Sequence, residues 1–416
     1  MIRSILRGVA AATLGFVAVG LAHAADSPQT LVIGNLLELT GPLSSNAPAM
    51  LKASNLAIEE ANKAAKAAGL SIEVKGESVD VQGDPQAALS AARNLADKGA
   101  DCMLGPGTTP ETIAIAKGVT IQKSIVLFPQ ATSVKLSMFK AEANDTIFRT
   151  VPPDNLQSGA MAEAAAMYLG TAKDKLLSVA YRNEPYGEGL AKDVTKAWTA
   201  KGGKVQGPIV FNPDQPTFDA EAEKIVAGNP DAYAVIDYPD TFVKMGAALL
   251  RTGKFDAQKL FVPDTLSFTE VPKNIPEKAL EGARGVRAGV PEGTEAYKAF
   301  DDLWKKAGGA EHFSLDANTF DAGLVCFLAA VAAKSTDPAA IKSHIRTVAD
   351  PKGEKYTFLQ LGNAAKAASA GKPIAYVGVS GPLEFDKNGD PTTSLYDIFQ
   401  LKGGRLAVLR QVQLNP

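Results

Sequence analysis

Cysteine and histidine are scarce in this chain of 416 residues, which contains two cysteines and three histidines. Zinc sites need clustered cysteine and histidine ligands, so no metal site is predicted. Cys102 lies in a strand-like apolar run and Cys326 in a helix-like one, where a small thiol is an ordinary core residue. We therefore expect two buried thiols. A disulfide stays open as the alternative, because sequence separation does not give the distance between two Cα atoms.

A surplus of basic residues is also missing. The 43 Lys and Arg residues against 45 Asp and Glu give a formal charge of -2, which provides no electrostatic footprint for nucleic acid. Hydrophobic residues make up 46% and charged residues 21%, and the 25 prolines and 37 glycines follow no period. This composition indicates an ordinary globular protein and excludes collagen, coiled coils and low-complexity scaffolds. No nucleic-acid partner is predicted.

Enzyme motifs are missing as well. Gly105 and Gly107 begin a G-x-G-x-x-G pattern, but Pro110 occupies the third glycine position. The chain has no Walker A sequence, no H-E-x-x-H and no G-x-S-x-G elbow. His312 and His344 are expected at the surface rather than as general bases. The sequence therefore predicts a protein without catalysis and without a cofactor.

Only the N terminus resembles an export segment. Arg3 and Arg7 precede an uncharged apolar run from residue 9 to 21, and Ala22-His23-Ala24 offers small residues to a signal peptidase. We predict a signal peptide cleaved after Ala24, with an uncleaved anchor as the alternative. The run is shorter than the roughly 20 residues of a membrane-spanning helix, and no later stretch is expected to be long and apolar enough. An exported, soluble mature protein follows.

Apolar runs alternate with segments of helical periodicity along the rest of the chain. Strands are predicted at 31–37, 70–79, 100–104, 125–128, 176–181, 205–211, 232–236 and 260–262. Asp84 and Pro85 form a cap and first residue that start one of the intervening helices. This alternation indicates two α/β lobes with parallel sheets covered on both faces. The tail, with residues 386–390 as a turn, is predicted to close as an antiparallel pair.

Ligands of open parallel sheets bind beyond the carboxyl ends of the strands. One such loop, residues 105–111, places Pro110 at the first helical position and so makes Thr109 the predicted helix cap. The free amides of that helix end favour an anion, although a plain cap without ligand is the alternative. Two further residues are candidates for the site. The ring of Tyr186 either lines a pocket or only covers the start of the next helix. The carboxylate of Asp264 either binds a cationic group of the ligand or only caps the next helix.

Several short motifs occur together, in a fixed order, along nearly the whole mature chain. They are Ile33-Gly34, Leu39-Thr40-Gly41-Pro42-Leu43, Ala57-Ile58-Glu59-Glu60-Ala61-Asn62, residues 80–85, Gly105-Pro106, Gln130-Ala131-Thr132-Ser133, Phe148-Arg149-Thr150-Val151-Pro152, Tyr186-Gly187-Glu188-Gly189 and Gly381-Pro382-Leu383-Glu384-Phe385-Asp386. The ordered set resembles the leucine/isoleucine/valine-binding type of periplasmic protein, the receptor of an ABC importer. The resemblance also agrees with the export segment.

The resemblance implies a type I periplasmic binding protein fold, with two Rossmann-like lobes of parallel sheet joined by a three-strand hinge. Lobe I would comprise residues 25–150 and 291–380, and lobe II residues 151–290 and 381–416. By the same resemblance, the ligand carboxylate would be held by Thr109, Ala131 and Thr132, the aromatic wall by Tyr186 and Tyr238, and the ammonium by Asp264. Departures from the family pattern are Asn46 in place of a frequent aromatic residue, Gln130 in place of a small residue, and the missing cysteine-bridged loop.

These observations together predict a monomeric receptor in the periplasm that binds a small apolar amino acid and delivers it to an inner-membrane ABC permease. An aromatic or other small organic acid, or an amide, is the alternative ligand within the same class. The alternatives from other classes are an exported hydrolase and the ligand-sensing domain of a regulator.

Overall fold

The computed structural model describes residues 28–143, 145–308, 312–313 and 315–415. The predicted signal peptide and its cleavage site after Ala24 lie outside this part of the chain. The described residues form two principal sheets, each with helices packed on both faces, and a smaller sheet of three strands.

The first sheet contains four parallel strands in the order β2-β1-β3-β4. Its part of the chain comprises β1 (Gln29–Leu37), α1 (Ala47–Ala68), β2 (Ile72–Asp80), α2 (Pro85–Asp97), β3 (Cys102–Leu104), α3 (Thr109–Ile115), a π-helical turn (Ala116–Thr120), α4 (Ile121–Lys123), β4 (Val126–Phe128) and α5 (Val134–Ala143).

Alternation along β1 explains why helices cover both faces of this sheet. Leu31 and Ile33 point to one face and pack with α1, whereas Leu36 points to the other face and packs with α2. The predicted start of α2 is confirmed, because Asp84 accepts hydrogen bonds from the first-turn amides and Pro85 follows it.

The second sheet has seven strands in the order β14-β13-β9-β8-β7-β5-β6, of which β13 and β14 run antiparallel. The chain enters it through α6 (Asp154–Leu169), β5 (Leu176–Arg182), α7 (Pro185–Ala200), β6 (Lys204–Phe211), α8 (Asp219–Val226), β7 (Ala232–Ile236), α9 (Pro239–Arg251), β8 (Leu260–Val262), α10 (Glu277–Leu280) and β9 (Arg284–Ala288). Short 3-10 turns at Ala257–Lys259 and Asp264–Leu266 flank β8.

The chain then returns to the first sheet before it ends in the second. The returning part comprises α11 (Glu295–Lys306), α12 (Asp316–Ala333), α13 (Pro338–His344), β10 (Glu354–Tyr356), a 3-10 turn (Phe358–Gln360), α14 (Leu361–Ser369), β11 (Ile374–Gly378) and β12 (Gly381–Pro382), and the final hairpin is β13 (Ser394–Lys402) with β14 (Arg405–Leu414). Three passages therefore connect the two halves, after β4, after β9 and after β12. The residue-level lobe boundaries given above remain a prediction.

The closing antiparallel pair exists, but its turn lies elsewhere than predicted. Residues 386–390 form a turn, in which Asp386 accepts hydrogen bonds from the amides of Asn388 and Asp390. The residues on either side of this turn, Phe385 and Pro391, form a single isolated β-bridge. The long pair β13–β14 turns instead at Gly403 and Gly404, with φ of 58° and 72°. Two successive left-handed residues suit glycine, which lacks the Cβ clash.

The expectation of two free thiols is wrong, because Cys102 and Cys326 form a disulfide with a Cα–Cα distance of 6.5 Å. The physical reason is tertiary: α12 packs on the face of the first sheet where Cys102 of β3 points, and both residues belong to the same buried cluster. The bridge thus connects residues 224 positions apart in the chain.

The expectation that no later segment is long and apolar enough to cross a membrane is also wrong. Among the described residues, α12 passes that test by length and composition, with a mean hydropathy of 1.3 over 18 residues. Yet 89% of this segment is buried inside the fold, because α12 is the central core helix of the first half. A helix that is hydrophobic all round is typical of such a position.

Candidate ligand-binding site

A cavity lies where the loops after β1, β3 and β4 of the first sheet meet the loops after β5, β7 and β8 of the second. Its empty volume is about 440 Å³, counting the space that is open to solvent. It is lined by Leu43, Asn46, Met50, Gly107, Thr109, Gln130, Ala131, Thr132, Tyr186, Tyr238, Asp264, Thr265, Phe313 and Leu315. The structure therefore brings together all eight residues singled out from the sequence, although their role in binding remains a prediction.

Thr109 lines the cavity from the start of α3, but it is not the helix cap that the sequence predicts. Thr108 has the extended backbone of the cap, Thr109 is the first helical residue and Pro110 the second. Proline fits this position because first-turn amides have no partner within the helix. Thr109 is 1% exposed, and its Oγ1 has no hydrogen-bond partner among the described residues.

The loop after β4 supplies the adjacent part of the same wall. The Gln130 Nε2 donates to the Thr319 hydroxyl, while the Gln130 Oε1 is buried without a described donor. Arg149 fixes this loop, because its Nη1 donates to the Ser133 carbonyl at 2.9 Å and its Nε to Asp390 Oδ1 at 2.7 Å. The carbonyl of Ala131 lies 3.4 Å from the same Nη1. The loop is thus held from behind by a buried guanidinium.

Thr132 and Asn46 complete the polar groups of the first wall. The Thr132 carbonyl accepts from the amide of Asp154 at 2.8 Å, which ties the wall to the start of α6 in the second half. Asn46 caps α1 without a side-chain hydrogen bond to the helix, and its Oδ1 accepts from the Ser45 hydroxyl at 2.9 Å. Asn46 is 6% exposed, so its amide is a buried polar group at the cavity.

Two stacked tyrosines form the opposite wall. Glu184 caps α7 by accepting from the amides of Tyr186 and Gly187, at 3.0 and 2.9 Å, which orients the helix entry. The rings of Tyr186 and Tyr238 lie 5.4 Å apart with an interplanar angle of 7°. The Arg182 guanidinium stands 4.0 Å from the centroid of the Tyr238 ring, a cation–π arrangement that fixes this ring.

Asp264 is the acidic group of the cavity. It is 6% exposed, and its Oδ1 accepts from the Tyr186 hydroxyl at 3.2 Å. Burial raises the pKa of Asp264, and the nearby Gln157 amide and the hydrogen bond from Tyr186 offset part of this effect, although Gln157 is not in hydrogen-bonding geometry. Among the lining residues that the structure describes, no basic side chain accompanies it. Asp264 is therefore a buried carboxyl group that faces a cavity without a protein cation.

Asp154 adds a second buried carboxyl group close to Asp264. Burial, and next the charge of Asp264, raise its pKa well above the ordinary value. The Thr132 hydroxyl lies near enough to lower that pKa, but neither Oδ has a described donor in hydrogen-bonding geometry. Asp154 does not itself line the cavity, and a cation bound near Asp264 would stabilise the ionised forms of both carboxyl groups.

Sequence reasoning missed six of the lining residues. Gly107 lies two residues before Thr109, Thr265 follows Asp264, and Leu43 belongs to a motif that carried the resemblance. The others are Met50 of α1, with Phe313 and Leu315 from the loop before α12. Helical spacing indicated only that Met50 belonged to an apolar stripe, and nothing in the pattern joined the loop before α12 to a strand end.

His312 is less exposed than predicted, with 20% of its side chain accessible to solvent. Its ring lies 4.9 Å from that of Trp304, and it contacts Asp316 through Nδ1 at 2.7 Å and Asp301 through Nε2 at 3.2 Å. Burial opposes its positive charge, but the carboxylates of Asp316 and then Asp301 outweigh this and raise the pKa of His312. Asp316 also accepts from the amide of Phe313 at 3.1 Å, so this network orients a cavity residue. His344, at the end of α13, is half-exposed.

Two α/β halves joined by three passages, with a cavity between the carboxyl ends of their strands, define a bilobal small-molecule binding protein. A family model described as a periplasmic binding protein matches residues 30–405. The chain belongs to this family, which confirms the resemblance and the fold class predicted from the sequence. The family consists of solute-binding proteins and not of enzymes, in agreement with the prediction.

Individual relatives agree with this assignment. A "Leu/Ile/Val-binding protein homolog 3" from Brucella melitensis is 29% identical over 46% of this chain, and the match spans only 48% of that protein. A leucine-binding protein LivK from Thermotoga maritima has a similar fold, with a TM-score of 0.75, 21% identity, and coverage of 93% of this chain and 99% of the other. A solute-binding protein of an ABC transporter from R. palustris, in complex with 4-hydroxybenzoate, has a TM-score of 0.71, 16% identity, and coverage of 93% and 98%.

Proposed function

We propose that this protein is the substrate-binding subunit of an ABC importer and that it binds a small amino acid with an apolar side chain in the cavity. The observation that carries this proposal is the position of Asp264, a buried carboxyl group that faces the cavity without a basic neighbour among the described lining residues. A ligand ammonium would supply the missing charge, since a buried carboxylate without a partner is costly.

The opposite wall offers groups that suit a carboxylate. The Thr109 hydroxyl has no described partner, and the first-turn amides of α3 lie beside it. Charge-assisted hydrogen bonds of this kind are stronger than neutral ones. An ammonium at Asp264 and a carboxylate at Thr109 would place the two charges of an amino acid against opposite walls.

The remainder of the lining supports an apolar side chain. Leu43, Met50, Phe313 and Leu315 contribute aliphatic and aromatic surface to the cavity. Burial of an apolar group gains about 25 cal/mol for each Å² removed from water. A branched aliphatic side chain would therefore be bound by this surface, in keeping with the name of the Brucella relative.

An aromatic acid is the second candidate, because the stacked Tyr186 and Tyr238 offer a flat wall and the R. palustris neighbour is in complex with 4-hydroxybenzoate. The two buried carboxyl groups argue against it. A plain carboxylate offers no cation to Asp264 or Asp154, and burial already disfavours their ionised forms. The amino acid is therefore the better complement.

Residues 1–24 support export to the periplasm, with cleavage after Ala24, and delivery of the ligand to an inner-membrane permease belongs to the same proposal. We further propose that the protein works as a monomer.

Calorimetric titration of the refolded, ligand-stripped protein tests the ligand class. The panel contains L-leucine, L-valine, 4-hydroxybenzoate and benzamide. We expect heat of binding with the amino acids. The Kd for 4-hydroxybenzoate should be at least about tenfold higher, a difference in binding free energy of about 1.4 kcal/mol. Tighter binding of 4-hydroxybenzoate than of either amino acid would overturn the proposal.

A further inference from the structure

Two glutamates lie side by side under the loop that carries Thr109. Glu38 follows β1 and is 1% exposed, and Glu111 lies in the first turn of α3 and is 0% exposed. Neither belongs to the lining of the cavity. Two glutamates this deeply buried require an explanation, because glutamate is almost never fully buried unless it is paired.

Each glutamate holds one residue of the loop. Glu38 Oε1 accepts from the Gly107 amide at 2.7 Å, and the Thr108 hydroxyl donates to Glu111 Oε2 at 2.6 Å. A Cβ at Gly107 would lie 2.7 Å from Leu43 Cδ1 and 2.9 Å from Glu38 Oε1, so a side chain at this position would require both neighbours to shift. Gly107 and Thr109 both line the cavity, and the residue between them is hydrogen-bonded to Glu111.

Each of the two carboxyl groups shifts the pKa of the other, and Glu111 Oε1 is buried without a donor among the described residues. Two adjacent buried carboxyl groups without a cation cannot both stay ionised, so one of them carries a proton. Burial, and next the charge of Glu38, raise the pKa of Glu111 to about 9. The other groups that act on the pair are the Thr108 hydroxyl and the amides of Gly107, Thr108, Gly83 and Glu38, and Glu38 in turn acts on the Tyr238 phenol. None of these groups is a cation.

We propose that Glu38 and Glu111 share one proton and that this carboxyl pair positions the loop of Gly107 and Thr109 for ligand binding. Glu111 is thus a positioning residue, which acts through Thr108 and Glu38. The shared proton also keeps the pair at one negative charge beside the wall where the ligand carboxylate would bind, and a second charge there would repel it. This inference rests on the proposed role of the cavity as the ligand site.

Three variants separate the pair from a general effect of a buried acid. Glu111→Gln keeps the size, an acceptor for Thr108 and a donor for Glu38, so it imitates the protonated residue. Glu111→Leu removes both hydrogen bonds. Asp101→Asn is the control, because Asp101 is a half-buried acid at the other end of β3 that accepts from the Val32 amide at 2.8 Å.

With L-leucine as the probe at pH 7.5, we expect Glu111→Gln and Asp101→Asn to keep the Kd within about threefold. Glu111→Leu should weaken binding roughly tenfold to a hundredfold, the scale of a lost hydrogen bond to a charged group. Leucine binding by Glu111→Leu that equals that of the wild type would overturn the proposal.

The pH dependence of the Kd tests the proposal without Glu111→Leu, in case that variant does not fold. The Kd of the wild type should rise relative to that of Glu111→Gln between pH 7.5 and 10, as Glu111 loses its proton. The ammonium of leucine also titrates there, but it does so equally for both proteins, so the ratio of the two Kd values reports Glu111. A ratio that stays constant over this range would overturn the shared proton.

A ligand-free measurement separates failure of this inference from failure of the proposed function. The pKa of Glu111 is raised from 4.5 to about 9, so the folded protein retains a proton that the unfolded chain loses, and stability falls as pH rises through this window. The Tm of Glu111→Gln should therefore rise relative to the Tm of the wild type as the pH increases from 5 to 8. If leucine does not bind but this gain appears, the ligand class is wrong and the shared proton is upheld. If the gain is missing, the pair is wrong whatever binds.

Discussion

The Tyr186 hydroxyl donates a hydrogen bond to Asp264 at 3.2 Å, and both residues are buried against the cavity. Tyr186 thereby combines two roles: its ring stacks on Tyr238, and its hydroxyl orients the carboxyl group that would meet the ligand. The same hydrogen bond stabilises the ionised form of Asp264 against the effect of burial.

The substitution Tyr186→Phe separates these two roles, because it keeps the ring and removes the hydroxyl. We expect weaker binding of L-leucine, by at most the value of a hydrogen bond to a charged group, about 1.5 to 3 kcal/mol. Calorimetry measures this loss. Tyr181→Phe, on the strand before α7, is the matched control and should bind as the wild type does. Equal affinities of Tyr186→Phe and the wild type would show that the hydroxyl does not assist Asp264.

The hydroxyl of Thr109 is the expected donor to the ligand carboxylate. Thr109→Ala should weaken L-leucine binding by about 1.5 to 3 kcal/mol, the value of a charge-assisted hydrogen bond. Thr109→Ser keeps the hydroxyl and should retain most of the affinity. The assignment of Thr109 is refuted if the alanine and serine variants bind equally well in calorimetry.

The disulfide should stabilise the fold without shaping the cavity. Cys102 and Cys326 are 224 residues apart, so the bridge restricts a long loop of the unfolded chain. The double substitution to alanine should lower the free energy of unfolding by about 2 to 5 kcal/mol in urea denaturation and leave the Kd for leucine unchanged. A reductant should bring the wild type to the same stability. Identical denaturation curves with and without reductant would contradict this account.

Asp321 of α12 fixes β11 and the turn that leads to β12, just before the third passage between the halves. It accepts from the Tyr376 hydroxyl at 2.9 Å, from the Val379 amide at 3.0 Å and from the Ser380 amide at 2.8 Å. Burial outweighs these hydrogen bonds and raises the pKa of Asp321 from 3.8 to about 6. The folded state therefore binds the proton more tightly than the unfolded chain does.

The contribution of Asp321 to stability should fall as the pH rises from about 4 to about 6, by at most about 1.4 kcal/mol for each pH unit. Above that window its contribution is constant. Asp321→Asn removes this dependence, so the stability of the wild type relative to the variant should decline across the window in urea denaturation at several pH values. A difference that does not change with pH would rule out the titration of Asp321 in this range.

Local patterns predicted most of the strand–helix units of the two principal sheets, and together with the family resemblance they indicated eight of the residues that line the cavity. Strand ends and short motifs pointed to Thr109, Tyr186 and Asp264, because the carboxyl ends of parallel strands meet at one edge. Helix caps were predictable where the capping side chain accepts hydrogen bonds from the helix that directly follows it in sequence, as at Asp84. At Thr109 the prediction was one residue off, because proline is compatible with more than one position in the first turn.

Contacts between distant segments were beyond the reach of these patterns. The pairing of Cys102 with Cys326 depends on how α12 packs against β3, and the sequence contains no measure of that distance. The approach of Phe313 to the cavity depends on the same packing and on the hydrogen bond of its amide to Asp316. The acid pair likewise joins the end of β1 to the first turn of α3, so neither Glu38 nor Glu111 was singled out from the sequence.

The central claim is that Asp264 selects a ligand with an ammonium group. Asp264→Asn removes the charge and keeps the size, so it should weaken leucine binding by about 2 to 5 kcal/mol, the scale for one partner of a buried charge pair. The affinity for 4-hydroxybenzoate should stay the same or improve, because the repulsion of its carboxylate is relieved. The decisive quantity is the ratio of the two Kd values, measured by calorimetry in the wild type and in the variant. A strong shift of this ratio toward 4-hydroxybenzoate supports the account, and an unchanged ratio contradicts it.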